Sequence, residues 1–188
     1  MNTQELAQSN FDAYFGDGPI GGACAIWLQG SIRILTAYHV SHDSKTHEPR
    51  ALILRNRVGN ATFRNLAFEK VAGSRDISLS EPVAINEALS VATHYTPGVE
   101  YVTLGSPIPL MPPTDRVMTV SKEKPVLLRR APRELIVSSL GQRVDFGFSG
   151  KPVIDAESNV IGVILAKRWI RGRWYGVAEV LRQRIFRI

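Results

Sequence analysis

The chain is organised around the stretch Gly147-Phe148-Ser149-Gly150-Lys151-Pro152, in which a serine is set between Gly147 and Gly150. A serine hydroxyl is a poor nucleophile at neutral pH and needs a neighbouring base to accept its proton. It also needs backbone N–H donors aimed at the oxygen that becomes negative when a carbonyl is attacked. A glycine two residues before the serine leaves room for such a donor, because it carries no Cβ. The stretch therefore predicts Ser149 as a nucleophile, with the N–H groups of Gly147 and Ser149 as an oxyanion hole.

The motif has a simpler explanation, a tight turn that contains serine by chance, because G-x-S-G arises in about one chain in twenty of this length. A catalytic serine therefore requires a base and an orienting acid elsewhere in the chain. His39 directly follows an apolar run, where a side chain at the end of a strand can face a cleft. Asp76 stands at the start of another apolar run. The order His, Asp, Ser differs from that of the α/β-hydrolases, whose G-x-S-x-G elbow also fails because Lys151 occupies its last position.

Length and composition place the chain among globular proteins. Its 188 residues suit one domain or two small packed halves, and 44% of them are hydrophobic, which is enough for a core. No apolar run is long enough to span a membrane, and residues 1–15 lack the basic and apolar regions of a signal peptide. The single cysteine, Cys24, is expected in the core without a disulfide partner in the chain. We expect an intracellular, cytoplasmic protein.

The net charge of +6 is concentrated in the second half of the chain. Residues 1–100 hold 8 Lys and Arg against 10 Asp and Glu, whereas residues 101–188 hold 15 against 7. A basic half favours an acidic partner such as nucleic acid, an anionic surface or an acidic peptide. The same charge is equally well explained by ordinary solubilising side chains.

The pattern of apolar residues predicts an all-β structure with short helices at its two ends. Residues 3–15 and 180–188 have apolar side chains at nearly helical spacing. Between them, short apolar runs alternate with turn residues such as Gly30-Ser31 and Gly59-Asn60. Two successive sets of about six short strands predict two antiparallel barrels or sandwiches. The predicted strands are residues 23–29, 32–37, 51–58, 61–72, 77–79, 101–104, 117–121, 126–129, 135–138, 152–154, 160–166 and 174–178.

The motifs T-A-x-H at residues 36–39, D-I-x-L at 76–79 and G-x-S-G-x-P at 147–152 together resemble the chymotrypsin-like serine proteases. Their spacing suits compact bacterial and viral members of that family. The resemblance implies two six-stranded antiparallel β-barrels with the active site between them. The regions expected from it are a helical extension (1–19), a first barrel (20–90), a connection (91–100) and a second barrel with a terminal helix (101–188).

Transferred residue by residue, the resemblance implies the roles of the site residues. His39 would be the general base and then the general acid, Asp76 its orienter, and Ser149 the nucleophile of an endopeptidase. Residues 165–167, Leu-Ala-Lys, would flank the bound peptide. The resemblance implies no cofactor.

Two departures from the family pattern are informative. Members that are activated by cleavage have an aspartate just before the nucleophile, which pairs with the new N-terminal amine. Phe148 occupies that position here, so we expect no activation through such a salt bridge. The tryptophan-glycine pair usual in the peptide-flanking strand is replaced by Ala166-Lys167, so neither a trypsin-like nor a chymotrypsin-like preference can be transferred.

Basic residues near the predicted site favour an acidic substrate. Arg143 precedes the nucleophile by six residues, Lys151 follows it, and Lys167 continues the strand beside which a peptide would lie. Together with Leu165 and Ala166, these residues are the predicted substrate contacts. We therefore expect cleavage at or near Asp or Glu, or within acidic segments.

Other clusters favour ordinary surface roles. Histidines and acids between residues 39 and 48 match no closed zinc pattern, so no metal site is expected. The arginines at 129, 130, 168, 171 and 173, with Trp169 and Trp174, could bind single-stranded nucleic acid by charge and stacking. We favour instead a strand pair with solvent-facing arginines and packed tryptophans, because no RNA-binding motif accompanies it. The function alternative to a protease is a non-catalytic binding or structural protein that contacts an acidic partner or nucleic acid through its basic half.

Overall fold

The computed structural model describes residues 9–28, 30–56, 62–84, 93–94, 108–111, 118–120, 134–139, 147–154, 160–170 and 172–181. In this part of the chain the regular secondary structure is β-strand, apart from one short helix, α1 (Tyr38–Ser41). The strands of the first half are β1 (Asn10–Phe15), β2 (Gly18–Leu28), β3 (Ser31–Ala37), β4 (Ile53–Arg55), β5 (Thr62–Arg64), β6 (Phe68–Lys70), β7 (Ile77–Ser80) and β8 (Thr93–His94). Those of the second half are β9 (Ile108–Met111), β10 (Met118–Val120), β11 (Glu134–Ser139), β12 (Pro152–Ile154), β13 (Val160–Ile170) and β14 (Arg173–Val180).

The first half forms one eight-stranded sheet. Seven strands follow the order β5-β4-β1-β2-β3-β7-β6 and pair antiparallel, and β8 pairs parallel with β2. The hairpin predicted near Gly30-Ser31 is confirmed, since Leu28 pairs with Ser31 and Gly30 has a φ of +78°. A left-handed residue of this kind suits a tight hairpin turn. Strand β8 lies within residues 91–100, which were predicted as a connection only.

The second half forms a closed barrel in the order β10-β12-β13-β14-β11-β9. Its long hairpin of β13 and β14 pairs over eight positions, from Gly162 opposite Val180 to Ile170 opposite Arg173. The predicted pair of six-stranded barrels is therefore not confirmed, because the first half is a sheet of eight strands. Several predictions lie outside the described residues: the turn at 59–60, the strands at 101–104 and 126–129, and residues 182–188 of the helix predicted over 180–188. The first residue of that predicted helix, Val180, is instead the last residue of β14.

The helix predicted over residues 3–15 is wrong for residues 10–15, which form β1. Strand β1 pairs with β2 on one side and with β4 on the other. Phe11 and Ala13 enter the core, whereas Asp12, between them, is buried on the opposite face. Asn10 to Ala13 alternate polar and apolar residues, but the apolar residues of this segment also fit helical spacing, so the pattern does not separate a strand from a helix. Residues 1–8 lie outside the described part.

A hydrophobic cluster joins the two halves. Most of its side chains come from β1, β2, β3 and β7, and the second half adds Val160, Val163, Leu165 and Leu181. The two sheets therefore pack directly against each other through apolar side chains. No helix within the described ranges is long and apolar enough to cross a membrane.

Cys24 lies in this core, as predicted, with no exposed surface. Burial raises the pKa of its thiol to about 12, because a thiolate would lose its hydration there. Since the thiolate is the reactive form, the side chain should be chemically inert in the folded protein.

We predict that Ellman's reagent at pH 8 leaves Cys24 unmodified in the native protein and modifies one thiol per chain in 6 M guanidinium chloride. The raised pKa keeps the thiol protonated at this pH, and burial blocks access. Absorbance at 412 nm measures the reaction. Rapid modification of the folded protein would contradict the burial of this strand.

Candidate active site

Two neighbouring strands bring His39 and Asp76 together. Helix α1 follows β3 without a break, and Asp76 directly precedes β7. Strands β3 and β7 pair antiparallel, with Ala37 opposite Ile77, and the N–H of Tyr38 donates to Asp76 O at 2.8 Å. This register places the residue after the end of β3 beside the residue before the start of β7. The pairing of two short apolar runs thus positions both side chains.

Both carboxylate oxygens of Asp76 hold His39. Oδ2 lies 2.5 Å from His39 Nδ1, and Oδ1 accepts the backbone N–H of His39 at 3.0 Å. The two side chains are 34% and 25% exposed, respectively, so the pair is accessible to solvent rather than enclosed in the core. A carboxylate beside Nδ1 fixes this nitrogen as the protonated one and leaves Nε2 as an acceptor.

Glu179, a residue that the sequence reasoning did not single out, supports the loop that carries Asp76. Its buried carboxylate accepts the N–H of Arg75 at 2.7 Å through Oε1 and the N–H of Asp76 at 3.0 Å through Oε2. Glu179 belongs to β14, so the second half holds a loop of the first. The signal in the sequence was a single acid inside the apolar run Gly-Val-Ala-Glu-Val at 176–180.

Ser149 lies in a turn of residues 147–151, here called the serine turn. Gly147 and Gly150 have φ angles of +86° and +85°, a region in which glycine is favoured. The N–H of Gly150 donates to Ile164 O at 2.7 Å, and Ser149 Oγ donates to Leu165 O at 3.2 Å. These contacts tie the turn to β13.

The serine turn also contacts the first half next to His39. The N–H of Gly22 donates to Ser149 O at 2.7 Å. A Cβ placed on Gly21 would lie 2.6 Å from Ser149 O and 2.7 Å from a methyl carbon of Val40, the residue after His39. Ser149 and α1 therefore flank the same glycine. Ser149 and the helix that carries His39 are thus brought to the same residue of β2.

The predicted substrate contacts are placed differently from one another. Lys151 is 2% exposed, and its Nζ lies 2.7 Å from Asp12 Oδ1, so the prediction that it binds substrate is wrong. Its stem is directed into the protein because Gly22, beneath it, has no side chain. Leu165 is buried, Ala166 is exposed and Lys167 is half-buried, while Arg143 lies outside the described residues.

Lys167 belongs to an exposed group at the end of the β13–β14 hairpin. Its Nζ lies 5.1 Å from the centroid of the Trp174 ring, and the rings of Trp169 and Trp174 meet edge to face at 5.2 Å. Trp169 is 57% exposed and Trp174 is 38% exposed. The predicted strand pair is present and Arg168 is exposed, and the tryptophans pack against each other at the surface.

The histidines that follow α1 make local contacts. The ring of His42 stacks on Tyr38 at 4.3 Å, and its Nδ1 lies 2.9 Å from Ser41 Oγ. Burial lowers the pKa of His42, and the neighbouring His47 and Arg50 lower it further. Within the described ranges, no group of three or more His, Cys, Asp and Glu side chains is arranged to hold a metal ion.

Comparison with known proteins gives a likeness of structure rather than of sequence. No protein-family model matches the sequence, and no curated protein matches it. Among solved structures, the thermostable serine protease AL20 from an extremophilic microorganism superposes with a TM-score of 0.63 and 9% sequence identity. The match covers 94% of this chain and 93% of that chain.

Two further solved structures are similar over nearly the whole chain. Neuropsin, a serine protease expressed in the limbic system of mouse brain, has a TM-score of 0.55 and 14% identity, over 94% of this chain and 91% of neuropsin. Another structure comes from work on the Sesbania mosaic virus VPg protein, which is intrinsically disordered and whose coupled folding and binding is driven by aromatic interactions. It has a TM-score of 0.54 and 14% identity. That match covers 92% of this chain and 85% of the other.

The chain has the fold of the chymotrypsin-like serine proteases. The resemblance predicted from three short motifs is therefore confirmed at the level of the fold. At identities of 9–14%, the shared fold does not transfer a function, which has to be argued from the site.

The serine turn yields a prediction about packing. A Cβ on Gly150 would overlap Gly22 O and Thr36 Oγ1, which already form a hydrogen bond of 2.6 Å with each other. Gly150→Ala should therefore lower the free energy of unfolding by about 3 kcal/mol or more, through overlap and a left-handed backbone.

Gly16→Ala is the matched control for this variant. Gly16 also has a positive φ, of +60°, but a Cβ there would meet nothing within 4 Å. Only backbone strain of about 1 kcal/mol is expected. Urea unfolding of both variants measures the difference, and equal losses would contradict the close backbone approach at Gly150.

Proposed function

We propose that the protein is a serine endopeptidase that hydrolyses peptide bonds through His39, Asp76 and Ser149. The proposal is carried by the hydrogen bond of 2.5 Å between His39 Nδ1 and Asp76 Oδ2. A ring held in this way presents Nε2 as an acceptor, which is what a serine nucleophile needs from its base. The serine turn beside α1, in a fold shared with serine proteases, supports the same assignment.

The reaction would proceed in two balanced steps. In the first, His39 Nε2 takes the proton of Ser149 Oγ while Oγ attacks the peptide carbonyl carbon. The N–H groups of Gly147 and Ser149 would stabilise the resulting oxyanion. The C–N bond then breaks, and the leaving amine receives the proton from His39. In the second step, water attacks the acyl-enzyme by the same route and releases the acid and the free serine.

The first step requires the serine hydroxyl to change partner. In the structure, Ser149 Oγ donates to Leu165 O at 3.2 Å, whereas catalysis needs it to donate to His39 Nε2. Rotation about χ1 between staggered positions is the movement that would redirect the hydroxyl towards His39. Catalytic hydrogen bonds commonly tighten only when substrate is bound.

The expected acidic preference now depends on fewer residues. Lys151 is engaged inside the protein, and Lys167 lies against the Trp174 ring. Among the described substrate contacts, Lys167 is thus the remaining cation beside a peptide that lies along β13. The preference for Asp or Glu stays a proposal that depends on Lys167 and on Arg143.

We predict that an active-site-directed fluorophosphonate labels Ser149 in the full chain without prior trimming. Ser149→Ala and His39→Ala should abolish labelling and reduce casein hydrolysis by about 10⁴-fold or more, since nucleophile and base act as one unit. Asp76→Asn should be similarly severe, because the ring would lose the acceptor that fixes its tautomer. Mass spectrometry of the labelled peptide identifies the modified residue.

Ser44→Ala is the control for the serine substitution, because Ser44 is exposed in the loop that follows α1. This variant should be labelled like the wild type. A wild-type protein that folds but does not react, or a Ser149→Ala variant that still hydrolyses casein, would overturn the assignment.

The exposed tryptophans favour a second candidate function, the binding of single-stranded nucleic acid by the hairpin end. Trp169 offers an exposed ring face, and Lys167 and the exposed Arg168 add positive charge. Bases stack on exposed aromatic rings while cations bind the backbone phosphates. This candidate does not depend on the triad and would survive Ser149→Ala.

Titration of intrinsic tryptophan fluorescence with a single-stranded oligonucleotide tests this candidate. Trp169→Ala should weaken binding about 10-fold, since one stacked base contributes about 1–3 kcal/mol. Trp27→Ala is the control, because Trp27 is 40% exposed on the first sheet. Equal affinities of the two variants, or no binding at low salt, would reject it.

A further inference from the structure

A lysine and an aspartate form an ion pair inside the protein, and the mechanism above does not use it. The side chains of Lys151 and Asp12 are 2% and 3% exposed, and Nζ lies 2.7 Å from Oδ1. Nζ also donates to Phe11 O at 3.2 Å. Removing two charges from water is costly, so a pair of this kind contributes little to stability compared with apolar residues of similar size. The pair is therefore expected to act by fixing the positions of the segments that it joins.

The pair joins the serine turn to strand β1. The backbone of Lys151 is tied to its own half, since its N–H donates to Phe148 O at 3.0 Å and its carbonyl accepts the N–H of Ile164 at 2.9 Å. The side chain crosses to the other half and ends between Asp12 and Phe11. Lys151 is two residues from Ser149, so a shift of its stem would be transmitted directly to the nucleophile.

The first sheet leaves space for the aliphatic part of the Lys151 side chain. A Cβ on Gly22 would overlap Cγ, Cδ and Cε of Lys151, so this glycine provides the channel through which the stem reaches β1. The same Gly22 donates its N–H to Ser149 O. Gly22 of β2 therefore contacts both the carbonyl group of Ser149 and the side chain of Lys151.

The serine turn needs such an external anchor because two of its five residues are glycines with positive φ. Glycine leaves the backbone with more accessible conformations than any other residue, whereas an oxyanion hole requires N–H groups in one fixed direction. A packed apolar side chain would fill the channel but would fix no direction. An ammonium with two oxygen partners fixes both distance and orientation.

We propose that Asp12 and Lys151 are positioning residues that hold the serine turn in its reactive geometry, and that β1 is thereby part of the active-site architecture. This inference rests on the proposed serine-protease function. It implies that an intact N-terminal segment is needed for activity, so cleavage between β1 and β2 would inactivate the protein.

Asp12→Asn, Lys151→Met and the double variant test this inference. Each single variant removes one member of the buried ion pair and should lower Tm by about 10 °C. The double variant removes both charges at nearly constant volume, and its Tm should return to within a few degrees of the wild type. It therefore gives a folded protein that lacks the anchor.

The decisive measurement is the rate of fluorophosphonate labelling of the double variant, separated into reagent affinity and the limiting rate constant. We expect the rate constant to remain about 10-fold or more below that of the wild type, with affinity unchanged, because a small displacement of a reacting group is enough for such a loss. Asp17→Asn and Lys45→Met are matched controls at exposed positions and should react at the wild-type rate.

The outcomes separate the two proposals. A double variant that regains both the Tm and the rate constant of the wild type shows that the pair is structural only, and it overturns this inference while the proposed function stands. A folded wild type that does not react overturns the proposed function and this inference with it. Recovery of Tm without recovery of the rate constant supports both.

Discussion

The close backbone approach between Gly22 of β2 and the serine turn is the contact on which the site depends. The N–H of Gly22 donates to Ser149 O, and a Cβ on Gly21, Gly22 or Gly150 would overlap an atom of the other half. Three glycines therefore let two sheets meet at hydrogen-bonding distance where side chains would keep them apart. His39 and Ser149 come from different halves, so their separation is set by this contact.

Two buried carboxylates link the two halves, and each half contributes one of them. Glu179 extends from the second half to the N–H groups beside Asp76, and Asp12 of the first half receives the ammonium of Lys151. Buried charges are tolerated only when they are paired or hydrogen-bonded. Because each carboxylate finds a partner in the other half, correct docking of the halves and assembly of the site are the same event.

The Lys151–Asp12 pair also bears on the absence of an acid before the nucleophile. Phe148 stands where the resemblance would place an aspartate that pairs with a cleaved N-terminus. Here Lys151, two residues after Ser149, pairs with Asp12 in the middle of strand β1. The cation therefore lies next to the serine turn and the anion lies on the N-terminal segment, which is the reverse of the arrangement that the resemblance would imply.

The sequence by itself determined the β character of the chain and most strands of the described part, and it predicted His39, Asp76 and Ser149 as one set. These depend on local patterns, namely apolar runs, turn residues and short motifs. It misassigned residues 10–15, because their apolar side chains also fit the spacing of a helix, and the short polar–apolar alternation from Asn10 to Ala13 was not enough to decide between helix and strand. Only the tertiary structure decided that Lys151 is internal and that Glu179 supports Asp76, since both facts follow from pairing between residues more than one hundred positions apart.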